Sequence, residues 1–240
     1  MLESVNNERV KNISKLNDKK YRYKDNLFLA PGKHLVAEAI KKGIVKELFL
    51  LAGEENIYGI DATYVSDAVM KKMVNLDNPP KELAVCYIKN NDEIKGNVVV
   101  LDDVRDPGNL GTIIRSAVAF NYETIILSKN CVDVYNPKVI RATEGMLFNV
   151  NIIVGDLFEA TDTLISKGYT LYATDVVLGD NPVKCLDKHA LYIGSEANGL
   201  KEDLKQKCYK KLKIEMNPLC ESLNAGVSAS ILMYELGGKK

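Results

Sequence analysis

With 240 residues, 46% of them apolar and 27% charged, the chain is long enough to bury a sizeable core and too apolar to stay disordered. Its 32 basic and 32 acidic side chains cancel, and its five cysteines (Cys86, Cys131, Cys185, Cys208, Cys220) form no CxxC pair, which argues against a disulfide framework or a zinc site. The two histidines, His34 and His189, stand far apart, which disfavours a His-based triad or metal cluster, and no metal is expected.

Residues 1 to 20 read as a short helix with Val5, Val10, Ile13 and Leu16 inward. Leu27 to Ala30 is strand-like, Pro31-Gly32 breaks it, and His34 to Lys42 makes a helix stopped by Gly43. Val45 to Leu51 is a strand, Ser66 caps a helix running through Met73, and Leu83 to Ile88 is another strand. These elements predict a small α/β domain over residues 1–90. The polar, aperiodic stretch that follows places a linker at 91–96.

Asn97 to Leu101 is a nearly all-apolar run of the kind buried on both faces of a parallel sheet. Similar runs return at Thr124 to Leu127, Val150 to Val154, Thr170 to Ala173 and Ala190 to Ile193, and more weakly at Lys211 to Ile214, with helical stretches between most of them. Strands alternating with helices predict parallel βαβ units, hence a second α/β domain over 97–240. Its last helix, Asn224 to Leu236, carries an apolar stripe with small Gly and Ser residues, suited to core packing or to a dimer face.

No apolar run approaches the roughly 18 residues of a membrane span, and Met1 to Asn7 has no apolar signal-peptide core, so a cytoplasmic protein without a membrane partner is expected. The zero net charge hides a polarity: residues 1–50 carry 11 Lys and Arg against 6 Asp and Glu, whereas 51–200 carry 13 against 21. One face can then attract a polyanion while the molecule stays neutral; solvated helix faces are the plainer alternative.

Three polar, glycine-bearing segments stand at the carboxyl ends of strands expected in the second domain. They are Asp106-Pro107-Gly108-Asn109-Leu110-Gly111 running on to Arg115, Gly194-Ser195-Glu196-Ala197-Asn198-Gly199, and Glu221-Ser222-Leu223-Asn224-Ala225. Ligands of open α/β sheets sit beyond the strand carboxyl ends, so these segments are expected to converge on one pocket. Asn109 is expected to cap the helix opening at Leu110, and Ser222 or Asn224 the last helix. Arg115, set in an otherwise apolar helix, wants an anionic partner, either a ligand or a nearby Asp102 or Asp103. Neither GxGxxG after the first strand of this domain nor GxxxxGK[ST] occurs, which disfavours ordinary dinucleotide and P-loop chemistry.

In order, Asp103-x-x-Asp106-Pro107-x-Asn109-x-Gly111-x-x-x-Arg115, Arg141-Ala142-Thr143-Glu144-Gly145, Ile193-Gly194-Ser195-Glu196-x-x-Gly199 and Glu221-Ser222-Leu223-Asn224-Ala225 resemble the SpoU/TrmH family of RNA ribose 2′-O-methyltransferases of the SPOUT superfamily. The stretch Lys11 to Glu38, with Lys19-Lys20-Tyr21-Arg22 and Phe28 to Lys33, resembles that family's ribosomal-protein-like RNA-binding domain, except that Pro31 stands where an acidic residue is usual. Glu215 before Met216 and Ser195 depart from the family's usual Pro and Asn.

The resemblance implies a C-terminal trefoil knot, a homodimer, and an S-adenosyl-L-methionine site at Thr174, Gly194, Ile214, Met216 and Leu223. It implies catalytic roles for Arg115, Asn109, Glu196, Ser222 and Asn224, and RNA, foremost large-subunit (23S-type) rRNA, as partner. A guanidinium stays protonated, so Arg115 is expected to orient the ribose hydroxyl through a substrate phosphate rather than to act as a literal base. The competing readings are a non-catalytic RNA-binding or ribosome-assembly protein on the same fold, a tRNA 2′-O-methyltransferase, and a small-molecule or protein methyltransferase.

Overall fold

A computed structural model describes residues 1–89, 93–175, 179–185, 187–195 and 197–237. The chain forms two units, Met1–Lys89 with Asp133–Phe148, and Asn90–Val132 with Asn149–Lys240. In the first, the helix expected over residues 1–20 is two helices, α1 (Glu8–Lys15) and α2 (Lys19–Asp25). Asp18 restarts the chain because its carboxylate accepts the Lys20 N–H at 2.8 Å, an N-cap. Val5, expected inward, is exposed.

β1 (Leu27–Pro31), α3 (Lys33–Lys41), β2 (Val45–Leu51), β3 (Ala62–Val65), α4 (Asp67–Val74) and β4 (Glu82–Tyr87) follow. The sheet order is β1-β4-β2-β3, with β4 antiparallel to both neighbours and β3 parallel to β2. Pro31 is tolerated because it ends an edge strand. β3 was not expected from the sequence; it is a four-residue edge strand with too little apolar alternation to register. Leu27 and Leu29 join Val10 and Ile13 of α1 and Met70 and Met73 of α4 in one core.

The second unit begins with β5 (Asn97–Leu101), α5 (Pro107–Ala119) and β6 (Tyr122–Ser128). After it the chain gives α6 (Pro137–Ala142) to the first unit, then returns with β7 (Asn151–Gly155), α7 (Leu157–Ser166), β8 (Thr170–Thr174), β9 (His189–Ile193), α8 (Glu202–Gln206), β10 (Lys210–Leu212) and α9 (Ala225–Gly237). The six strands form one parallel sheet in the order β10-β8-β9-β5-β6-β7. Val98, Val100 and Tyr192 pack on Leu157, Leu164 and Leu204 on one side. Of the stretch expected as a linker, residues 91 and 92 lie outside the described residues. Lys95 and Gly96 bond into the second unit, Lys95 to the Thr124 hydroxyl through both its N–H (2.9 Å) and its carbonyl (2.8 Å), and Gly96 to the Tyr169 hydroxyl (2.9 Å).

His189, at the amino end of β9, does have spatial partners. Its Nε2 lies 2.7 Å from the Tyr122 hydroxyl and its Nδ1 3.0 Å from the Asp187 carbonyl. Burial pushes the imidazole pKa down and the Tyr122 pKa up. The phenol therefore donates to Nε2, and a neutral ring donates from Nδ1. This is a structural pair, and among the described residues no group of three or more His, Cys, Asp or Glu is arranged to hold a metal. No helix among them is long and apolar enough to cross a membrane.

Arg22, part of the stretch that resembles the family's RNA-binding domain, is buried. Its guanidinium donates to the Leu16 and Asn17 carbonyls at 2.9 Å each and to Asp133 Oδ2 at 2.5 Å, while the Tyr23 hydroxyl takes Oδ1 at 2.7 Å. Phe28 faces Tyr135 and Phe148 with ring centroids 5.0 and 5.8 Å away. Together they bind Asp133–Phe148 into the first unit. The side chains of Arg22 and Asp133 are only 3% and 6% exposed, so losing one charge strands the other in a low-dielectric site. Arg22→Met is expected to cost about 3–5 kcal/mol of unfolding free energy in urea, far more than a surface ion pair is worth.

Candidate active site and its cavity

The carboxyl ends of β8, β9 and β10 and the first half of α9 enclose a cavity of about 390 Å³, in the range of small-molecule sites. All five positions expected to hold the cofactor line it: Thr174 at the end of β8, Gly194 after β9, Ile214 and Met216 after β10, and Leu223 before α9. Ile193, Leu200, Leu212 and Leu232 complete an apolar wall, and Ser195, Asn198, Ser222 and Ser228 add polar groups.

The turn after β9 has little spare room. A Cβ on Gly194 would stand 2.0 Å from the Gly199 carbonyl carbon and 2.1 Å from the Leu200 nitrogen. The turn is closed by paired bonds, Gly199 N–H to the Ser195 carbonyl at 2.9 Å and Ser195 N–H to the Gly199 carbonyl at 3.2 Å. Glycine is thus required at 194 by backbone meeting backbone. β10 is held in the same way: Asp175 N–H donates to the Leu212 carbonyl at 2.9 Å, and Asp180 exchanges backbone bonds with Lys211 and Lys213 at 2.9 and 3.1 Å.

The residues expected to act in catalysis divide. Ser222 lines the cavity. Asn224 caps α9, its Oδ1 accepting the Gly226 and Val227 N–H groups at 2.9 and 3.2 Å, which leaves its amide NH2 as the group open to a ligand. Asn109 is not the cap of α5: Asp106 is, accepting the Asn109 N–H at 2.8 Å. The helix starts at Pro107, where a missing N–H costs nothing, so Asn109 falls inside its first turn and is largely buried.

Arg115 lies one turn beyond Thr112 on an exposed face of α5 and does not line the cavity. Thr112 meets Gly226, where a Cβ would come within 3.1 Å, so this face runs beside the start of α9. Neither aspartate proposed as an intramolecular partner takes Arg115. Asp102 pairs with Lys201 at 3.1 Å and Asp103 with Arg105 at 2.8 Å, and Arg115 has no ion pair among the described residues. Glu196, also expected in the site, lies outside the described residues.

The sequence reading missed Asp175 and Lys205, which line the cavity 3.0 Å apart with side chains 11% and 17% exposed. Asp175 directly follows the carboxyl end of β8, which is itself a signal; Lys205 sits in a short helix whose polar pattern carries none.

Residues 96–234 match the SpoU rRNA Methylase family, and residues 7–84 match the MRM3-like substrate binding domain. The chain belongs to the SpoU rRNA methylase family. It is 34% identical over 246 aligned positions, 99% of each chain, to the 23S rRNA (guanosine(2553)-2′-O)-methyltransferase RlmP of Bacillus subtilis. It superposes on the AdoMet-bound rRNA methyltransferase of Sinorhizobium meliloti with a TM-score of 0.85 and 28% identity, covering 98% of this chain and 95% of that one. An RNA 2′-O ribose methyltransferase structure gives a TM-score of 0.82 at 27% identity, covering 98% and 96%. The SpoU/TrmH resemblance read from the motifs, the α/β fold class and the RNA methyltransferase class of activity are borne out.

Proposed function

We propose that this SpoU-family enzyme transfers a methyl group from S-adenosyl-L-methionine to a ribose 2′-hydroxyl of large-subunit rRNA. The observation that carries the reading is that Thr174, Gly194, Ile214, Met216 and Leu223, 49 residues apart at the extremes, line one cavity. The cavity suits that donor: apolar walls fit a purine ring, the bare backbone at Gly194 allows close approach, and serine and asparagine groups can meet the donor's polar atoms. The bound donor supplies an already activated sulfonium methyl, so the protein's task is alignment and loss of one hydroxyl proton.

Arg115 supports alignment. An exposed guanidinium without a carboxylate partner among the described residues is available to fork onto a substrate phosphate and to hold the ribose O2′ in line with the methyl. It cannot take the proton, being already charged; its field favours the hydroxyl's ionised form. The Ser222 hydroxyl supplies a hydrogen bond at the cavity, Asn224 caps the helix that borders it, Asn109 supports the first turn of α5, and Glu196 completes the set.

On this reading residues 1–90 hold RNA, 91–96 link, and 97–240, apart from the Asp133–Phe148 segment that belongs to the first unit, carry out the transfer in the cytoplasm. The clasp of β10 by the backbone around Asp175 and Asp180 supports a trefoil knot in the second unit. Val227 and Tyr234 of α9, 44% and 39% exposed beside the Arg115 face of α5, support a homodimer formed through these helices.

The test is to incubate the protein and the methyl donor with large-subunit rRNA from a strain lacking the gene, then map alkali-resistant linkages. One new 2′-O-methyl position is expected. Methylation only of tRNA, only of a base, or of no RNA overturns the reading; the last outcome with intact RNA binding would favour the non-catalytic alternative.

A further inference from the structure

α1 and α4 of the first unit enclose an open groove of about 580 Å³ that the mechanism does not use. Lys11 and Ser14 of α1 face Lys71 and Lys72 of α4 across it, and no Asp or Glu lines it. Its floor is fixed: the Asn17 amide bridges the helices, donating to the Ser14 carbonyl at 2.9 Å and the Met73 carbonyl at 2.8 Å. Lys11 and Lys72 make no ion pair among the described residues, and Lys71 meets only the fully exposed Asp77, at 3.4 Å. The charges of Lys11 and Lys72 are therefore offset by no ion pair among the described residues.

The cationic surface continues. Lys15 stands one helical turn beyond Lys11, and its ammonium lies 5.8 Å from the centre of the Tyr21 ring, which Lys20 approaches at 5.9 Å. Lysines that neutralise phosphates leading to a half-exposed aromatic ring on which a base can stack are the chemistry of single-stranded nucleic acid recognition. Arg22, the residue of the basic stretch best suited by type to grip phosphate, is buried on Asp133 and takes no part.

We propose that the α1–α4 groove, with Tyr21 at its end, is the track along which the first unit holds an unpaired stretch of its RNA substrate, Lys11 and Lys72 contacting phosphates and Tyr21 a base. The proposal rests on RNA being the substrate.

Filter binding of unmodified, in vitro transcribed large-subunit rRNA between about 50 and about 200 mM salt tests it. The double variant Lys11→Gln/Lys72→Gln is expected to bind about tenfold or more weakly at the lower salt, with the slope of log affinity against log salt reduced by about 1.4, since each single-strand phosphate contact contributes about 0.7. Tyr21→Leu is expected to lose about five- to a hundredfold in affinity with the slope nearly unchanged. The charge-matched control Lys41→Gln/Lys81→Gln, removing lysines already paired with Glu38 and Glu54, is expected to bind as wild type does.

Calorimetry with the methyl donor and the thermal midpoint, both expected to be unchanged in every variant, exclude misfolding as the cause. Wild-type affinity and slope in the groove variant, or an equal loss in the control, overturns the groove. Should the wild-type protein itself neither bind nor methylate rRNA, the functional reading falls and the groove with it; wild-type methylation with unaffected variants defeats the groove alone.

Discussion

Arg115→Ala is expected to bind the methyl donor within about threefold of wild type and yet lose kcat by about a hundred- to a thousandfold, the scale of removing one preorganised charge-stabilising group. The split follows from position: Arg115 does not line the cavity, and neither Asp102 nor Asp103 holds it, so its removal disturbs neither the donor's walls nor a salt bridge of the fold. Calorimetry reads the binding and methyl transfer to rRNA the turnover. Arg115→Lys is expected to recover only part of the rate, because an ammonium keeps the charge but not the planar fork. Wild-type turnover by Arg115→Ala defeats the assignment, and lost donor binding would make the residue structural.

Gly194→Ala is expected to have the opposite signature, loss of donor binding by more than about tenfold together with destabilisation of about 1–3 kcal/mol, the usual cost of forcing extra atoms into a packed site. The added methyl would sit 2.0 Å from a backbone carbon and 2.1 Å from a backbone nitrogen, neither of which can swing away as a side chain would. The turn must open, and it is a wall of the cavity. Gly155→Ala is the control: it has open space around its Cβ and no left-handed φ, and is expected to behave as wild type in both assays.

The strands of the second unit were legible because a parallel sheet covered on both faces demands near-continuous apolar runs, and Val98 to Leu101 and Ala190 to Ile193 are such runs, wholly buried. β10 was read less well, expected at 211–214 but formed at Lys210–Leu212, because an edge strand two-thirds lysine carries little of that signal. The positions expected to hold the cofactor came from the family resemblance, and one cavity gathers them. Periodicity alone would have missed them, since Ile214 and Met216 lie outside any strand or helix.

What the sequence hid is of two kinds. Capping at α5 passed from Asn109 to Asp106 because Pro107 opens the helix three residues earlier than expected, a choice local chemistry permits either way. The burial of Arg22 is not local at all. It depends on Asp133, 111 residues away, whose match no spacing rule exposes, and it turned an apparent surface cation into the anchor of Asp133–Phe148. That segment carries Arg141 to Gly145, read as one of the family's motifs; within it Thr143 is buried and bonds back to the Ile140 carbonyl at 2.8 Å.

The most direct test of the account is a crystal structure of the protein soaked with S-adenosyl-L-methionine. Density for one donor per chain is expected between the turn at Gly194 and the Ile214–Met216 and Leu223 segments, its methyl directed toward the side from which Arg115 can bring the ribose. A donor seated elsewhere on the chain, or an empty cavity at saturating concentration, would contradict it.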